Sequence, residues 1–341
     1  MKASKCFKLL LTVATMVALI PVPAAGQAQS TTSGDSTPPL TTWGDPDLQG
    51  VWDFRTITPM ERPSQFADKE VLTDEEAAGF QRAENRRLNR DLIDPEVGGL
   101  NYAPQSQGGV VPYNEFWYDR GTSLVEDKRT SLIVSPPNGR IPPLTAEAQQ
   151  RATARREYRS THPADSWEDR SVGDRCIVGF NAGPPMVPSA YNNNVQLFQT
   201  ADYVVILNEM VHNARIVSLG SRPHGTILQW VGDSRGHWEG DTLVVETTNL
   251  NENSGFRGSS SAVRVVERFT RISPDTLSYE FTLDDPQTWT APWTAVVPMT
   301  KTEDPMFEYA CHEGNYSMEG ILGGARAQER TNESTISGGG R

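Results

Sequence analysis

The sequence predicts a mainly β protein: an antiparallel up-and-down meander that closes as a barrel or folds as a sandwich, with an N-terminal arm carrying two surface helices. Three observations predict it. Nine strand-like segments follow one another between Val195 and His312, mostly joined by short turns, and short connections favour antiparallel neighbours. Glycine (28) and proline (24) are plentiful, which suits a loop-rich β fold better than a helical bundle. Helix-capping signals occur before this run, at Thr73 and Thr145. A meander that long must protect its edges, and closure or sheet-on-sheet packing does so.

The chain of 341 residues begins with the grammar of an export signal. Lys2, Lys5 and Lys8 precede an apolar run from Leu9 to Ile20, and small residues follow around Ala24, Ala25, Gly26 and Ala28. The run is too short for a comfortable membrane span, so residues 1–28 read as a signal peptide and the mature chain as secreted or periplasmic, without a span. Residues 29–42, rich in Ser, Thr, Pro and Gly, read as a disordered leader.

Residues 43–175 form the arm. Leu48–Phe54 reads as a first strand, with Gly50 and Trp52 near its start. Thr73 and Glu76 make a capping box for a helix to about Leu92, whose thin apolar stripe marks a surface helix. Phe116, Trp117, Tyr118 and Leu124 are expected to anchor an irregular stretch, and Thr130–Val134 reads as a short strand. The proline-rich turn S-P-P-N-G-R-I-P-P-L-T leads to Thr145, which caps a second, solvated helix over about 146–159.

Residues 176–325 carry the meander. Its expected strands are Val195–Thr200, Tyr203–Glu209, Ala214–Leu219, a weaker Thr226–Val231, Thr242–Asn249 after a turn at Glu239-Gly240-Asp241, Val263–Arg271, Leu277–Leu283, Trp293–Met299 and Met306–His312. Residues 326–341 read as a disordered tail.

The run W-V-G-D-S-R-G-H-W-E-G-D-T-L-V-V-E-T-T-N, with V-E-R-F-T-R, D-D-P-Q-T-W-T-A-P-W and Y-A-C-H-E-G-N-Y, resembles a large family of secreted bacterial proteins of uncharacterised function. The resemblance extends upstream through G-V-W-D, R-T-S-L-I-V-S-P-P-N-G-R-I-P-P-L-T and D-R-C … Y-N-N-N, so it covers nearly all of the mature chain; it implies no particular reaction. Gly50-Val51-Trp52 also resembles the G-x-W of the first strand in lipocalin-like barrels.

The formal charge of -12 gives no global attraction to nucleic acid or anionic membranes. There is no phosphate-binding loop, dinucleotide fingerprint or G-x-S-x-G elbow, and no cofactor is named by any motif. Loss of residues 1–28 removes Cys6 and leaves Cys176 and Cys311, which in an oxidising compartment read first as a disulfide. Among five histidines, His212, His224 and His312 flank expected strand ends, where polar groups gather at a barrel mouth. His312, Glu313, His212 and Arg222 form the candidate catalytic set, with a histidine or carboxylate as base and arginine facing an anion; Glu209 and Arg175 are reserves for those roles. No spacing demands a metal, and histidines that merely hydrogen-bond loops are the favoured reading. For a small-molecule ligand the candidates are Tyr309, Tyr316, Asn315 and His224, with Trp289 and Trp293 as a stacking platform or, alternatively, as core. Two functions follow: a secreted small-molecule-binding β protein, or an extracellular enzyme on the same scaffold doing acid–base or metal-assisted chemistry on a small molecule or glycan.

Overall fold

The computed structural model describes residues 38–98, 103–107, 109 and 113–338, with side chains to 332; the expected signal peptide and most of the expected leader lie outside them. Residues 38–42 are not a free leader but part of a turn, in which Leu40 bridges Pro46 and the Asp47 amide donates to the Pro39 carbonyl at 2.7 Å.

The elements in chain order are β1 (Gly50–Asp53), α1 (Asp74–Leu88), β2 (Ile133–Ser135), α2 (Ala146–Thr161), β3 (Asn194–Gln199), β4 (Tyr203–Asn208), β5 (Ala214–Ser218), β6 (Asp233–Glu239), β7 (Thr242–Thr248), β8 (Arg264–Ser273), β9 (Thr276–Asp284), β10 (Trp293–Thr302) and α3 (Ser317–Gly338). The strands form one sheet ordered β1-β3-β4-β5-β6-β7-β8-β9-β10, and β10 pairs back onto β1 through Val51 with Thr302 and Asp53 with Thr300. The sheet is therefore a closed barrel, and β2 adds to the same edge of β10 beyond β1.

A ring of nine strands cannot alternate direction throughout, because closure of a fully antiparallel ring needs an even number. One parallel joint is obligatory, and it falls between β5 and β6, where Ser218 pairs with Arg235. A parallel joint requires the chain to return along the barrel, and Leu219–Gly232 does this. The strand expected at Thr226–Val231 is consequently a crossover loop, touching the sheet through a bridge from Gln229 to Leu250. Gly236 permits the joint: a Cβ there would lie 2.8 Å from Val217 Cγ1 and 2.9 Å from Leu219 Cδ2.

The barrel is filled. Alternate residues point inward, and Trp52, Val195, Val204, Ile206, Leu243, Phe269, Phe281, Leu283 and Trp293 are buried to 0% or 1% exposure. Each such side chain contributes roughly 1.5–3 kcal/mol relative to exposure. One charge pair shares this interior. Arg215 reaches Glu267 in a two-pronged contact at 2.6 and 2.8 Å, the Tyr279 hydroxyl donates to the same carboxylate at 2.8 Å, and the Met186 amide, in the chain leading into β3, donates to that hydroxyl at 3.0 Å. Burial alone would lower the Arg215 pKa, but the Glu267 charge more than offsets it and the net shift is upward. Burial first, then Glu267, pushes Tyr279 well above the usual phenol range.

Both expected helices are present. Thr73 and Glu76 form the capping box of α1, and Thr145 Oγ1 accepts from the Ala148 amide at 3.1 Å in α2. In the irregular stretch Leu124 is buried, but Phe116 and Trp117 are exposed and anchor nothing. Two expectations near the C-terminus are corrected. Met306–His312 is irregular rather than a strand, because both edges of β10 are already paired when the barrel closes. Residues 326–338 of the expected tail belong to α3, whose stretch A-R-A-Q-E-R supplies good helix formers, and 339–341 lie outside the described residues; Arg326 donates to the Ala164 and Asp165 carbonyls at 3.1 and 2.9 Å.

Candidate functional site

Strand directions place four sets of loops at one end of the barrel: the chain entering β3, the β4–β5 turn, the β7–β8 loop and the β9–β10 loop. The arm and the segment after β10 fold over this end. Cys176 and Cys311 are joined there, with Cα atoms 5.6 Å apart, which fastens the arm to the segment after β10 as expected from the cysteine count.

Between these pieces lies a cleft of about 960 Å³. Its walls come from the chain leading into β3 (Phe180, Tyr191), the β4–β5 turn (Met210, Val211), the β7–β8 loop (Asn253, Phe256, Arg257) and the segment after β10 (Tyr309, Glu313, Asn315). The close approach of two walls depends on Gly179, where a Cβ would meet Met210 Cγ at 2.1 Å. Tyr191 stacks on Tyr309 with centroids 6.2 Å apart and planes at 24°, and Phe180 meets Tyr191 edge-on at 5.5 Å. Burial, then the neighbouring Tyr309, raises the Tyr191 phenol to about 12. The Asn315 amide donates to Cys176 Sγ at 3.0 Å, so the disulfide also orients a polar wall residue.

A second cavity of about 340 Å³ adjoins the first, and Val211, Tyr309, Cys311 and Glu313 border both. His212, His312 and Glu313 all line it, together with Glu308. Three of the four candidate catalytic residues are thus brought together. Their setting differs from the expected one: none sits on a strand, so the strand argument separating Cys311 from His312 does not apply, and Cys311 is instead consumed in the disulfide. Among the described residues no group of three or more His, Cys, Asp or Glu is arranged to hold a metal.

The remaining candidates lie elsewhere. Arg222 is exposed on the crossover loop. His224, also on that loop, sits between Asp233 at 3.6 Å and Glu246 at 3.5 Å and fastens the loop to β6 and β7. Arg175 stacks on Trp167 at 4.5 Å and on Trp230 at 5.6 Å. Trp289 and Trp293 are core residues, edge-to-face at 5.7 Å with exposures of 3% and 0%, and offer no platform to a ligand. Tyr316 is 75% exposed and does not line the cleft. Glu209 is buried and accepts from Asn194 at 2.9 Å.

Sequence reasoning missed the β4–β5 turn as a strained element. Val211 and His212 both adopt left-handed backbone, with φ of 58° and 49°. For a β-branched residue this is a true outlier, and such strain concentrates at functional sites. No residue type in N-E-M-V-H-N announces it. Phe180 and Phe256 were also missed, because each is one aromatic in a loop without period. Comparison of the chain with protein-family models and with curated proteins found no match.

Proposed function

We propose that this is an exported small-molecule-binding β-barrel protein whose ligand occupies the cleft at the barrel end, not the barrel interior. The observation that carries the reading is the cleft itself. Its volume of about 960 Å³ falls in the range of small-molecule sites, roughly 300–1,000 Å³. Ring faces from Tyr309, Tyr191, Phe180 and Phe256 stand beside Asn253, Asn315, Glu313 and Arg257, so apolar stacking and hydrogen bonding are offered together. That mixture suits a hydroxyl-rich ring compound such as a neutral glycan, or a hydroxylated aromatic. The filled interior argues against a ligand held inside the barrel. The disulfide and the family resemblance support export.

Ligand-detected NMR with the mature chain and a panel of neutral oligosaccharides and phenols tests it. Binding should occur in wild type and be lost in Tyr309→Ala, with circular dichroism unchanged. A binder indifferent to Tyr309→Ala and to Asn315→Ala would refute the cleft as its site.

The second reading is an enzyme, favoured by the convergence of His212, His312 and Glu313 on the adjoining cavity. A histidine there has carboxylates within the same wall to orient it as a base. Arg222 has no part in it. His312→Ala should then abolish turnover of a bound compound while leaving its affinity; binding without turnover in the wild type would leave the first reading alone.

A further inference from the structure

We infer that a cavity between α2 and the β7–β8 loop is a binding site for a small molecule carrying a phosphate or sulfate monoester. This does not rest on the cleft reading. The cavity measures about 560 Å³ and is lined by Arg151, Arg155, Arg156 and Arg159 of α2, by Arg257 and by Ser259.

The spacing explains the geometry. Arg151, Arg155 and Arg159 are four residues apart, so they stand in a row along one face of α2, and Arg156 flanks the row. Like charges at this spacing destabilise a helix. Glu147 heads this row, and Glu157, two residues past Arg155, falls on a different face; neither acid lines the cavity. Arg151 is positioned by the protein: it donates to the Gln287 carbonyl at 3.1 Å and to Thr288 Oγ1 at 3.0 Å, and pairs with Glu147 at 3.3 Å. Arg257 lies 3.6 Å from Glu61 across the loop. Arg155, Arg156 and Arg159 have no hydrogen-bond or ion-pair partner among the described residues, and the one acid on the cavity wall is Glu252. An excess of guanidinium charge therefore faces a half-open groove.

A second, independent observation points the same way. Ser259 is 2% exposed and its hydroxyl is buried without a partner. A buried hydroxyl left unsatisfied costs free energy, and a rotamer change that swings Ser259 Oγ from beside Gly255 toward the cavity would let an oxyanion oxygen accept its proton. The guanidinium fork matches phosphate and sulfate oxygens in pairs, which a row of lysines would not. The neighbouring Ser260 is already committed, donating to Asp285 at 2.9 Å, so Ser259 is the loop hydroxyl left for a ligand.

Calorimetric titration of the mature chain at fixed ionic strength tests the site, with glucose 6-phosphate, glucose 6-sulfate and unsubstituted glucose as probes. At least one ester should bind saturably at one site while glucose does not, and the better ester identifies the natural group. Arg155→Gln with Arg159→Gln should weaken that binding at least about tenfold, since each lost charge-assisted contact is worth about that factor. Ser259→Ala should weaken it less, and Arg140→Gln, an exposed arginine elsewhere, should leave it unchanged. Failure of both esters to bind, or equal affinity in the wild type and the double arginine variant, would overturn the inference. Thermal melts of the variants guard against misfolding, which exposed arginines on one helix face give little reason to expect.

Discussion

The inside of the barrel and the end of the barrel obey different rules. Inside, alternation dominates, side chains fill the space, and a charge pair is held in a chain of hydrogen bonds: Arg215 donates to Glu267 through its two terminal nitrogens, Tyr279 donates to the same carboxylate and Met186 to Tyr279, with only Arg215 Nε left without a partner. At the end, two consecutive non-glycine residues are left-handed, loops meet through a glycine, a disulfide clamps two irregular segments, and space remains open. The difference separates scaffold from site. Where local preference and packing agree, the molecule is being stable; where they conflict, something else is served.

Four perturbations sharpen or break this contrast. The largest effect is expected from Arg215→Ala, which strands the Glu267 carboxylate in the core and should cost about 3–5 kcal/mol in urea unfolding. A loss below about 1 kcal/mol would mean that water reaches the interior and that the barrel is not filled as described. Next is the disulfide. Replacing Cys176 and Cys311 by Ser should cost about 2–4 kcal/mol by releasing a long loop in the unfolded chain. Cleft binding should fall as well, because Tyr309 and Asn315 lose their anchor; thiol titration of denatured wild type should find no free thiol from this pair.

Smaller and opposite in sign is Val211→Gly. Relief of left-handed strain should raise stability by about 1 kcal/mol, while ligand affinity falls because the turn loses its fixed shape. A destabilised variant would show that the turn is held by packing rather than strained. The smallest effect is spectroscopic. Tyr191 is raised to about 12 by burial and Tyr309, so its protonated form is favoured by folding. A raised pKa contributes stability fully present below the unfolded value near 10 and lost as pH climbs through the folded value. Ultraviolet titration should show that Tyr191→Phe removes a phenol ionising near 12, not one ionising near 10.

How much of this was legible in the sequence follows the same divide. Leu277–Leu283 alternates apolar and polar residues, and β9 runs from Thr276 to Asp284 with its buried residues in that register. Thr73 and Glu76 announce α1 because capping is local chemistry. β6 was blurred because D-S-R-G-H is polar; its inward positions hold Ser234, bonded to Thr247, and Gly236, which makes room for β5. The parallel joint is a property of ring parity, and no local pattern carries it. At the site, His212, His312 and Glu313 were legible as chemistry-bearing residues near expected strand ends, and they line one cavity. Arg222, His224, Trp289 and Trp293 were equally suggestive by type but are placed by the crossover loop and the core. The α2 arginines were read as a solvated face because a helix sequence does not say which loop packs against it.

The most direct test is a crystal structure of the mature chain with the strongest binder from the oligosaccharide and phenol panel. The account predicts ligand density at the barrel end, against the Tyr309 ring and within hydrogen-bonding distance of Asn315, with Trp52, Tyr279 and Trp293 undisturbed. Density inside the barrel, displacing Tyr279 from the Arg215–Glu267 pair or Trp293 from its aromatic neighbours, would contradict it.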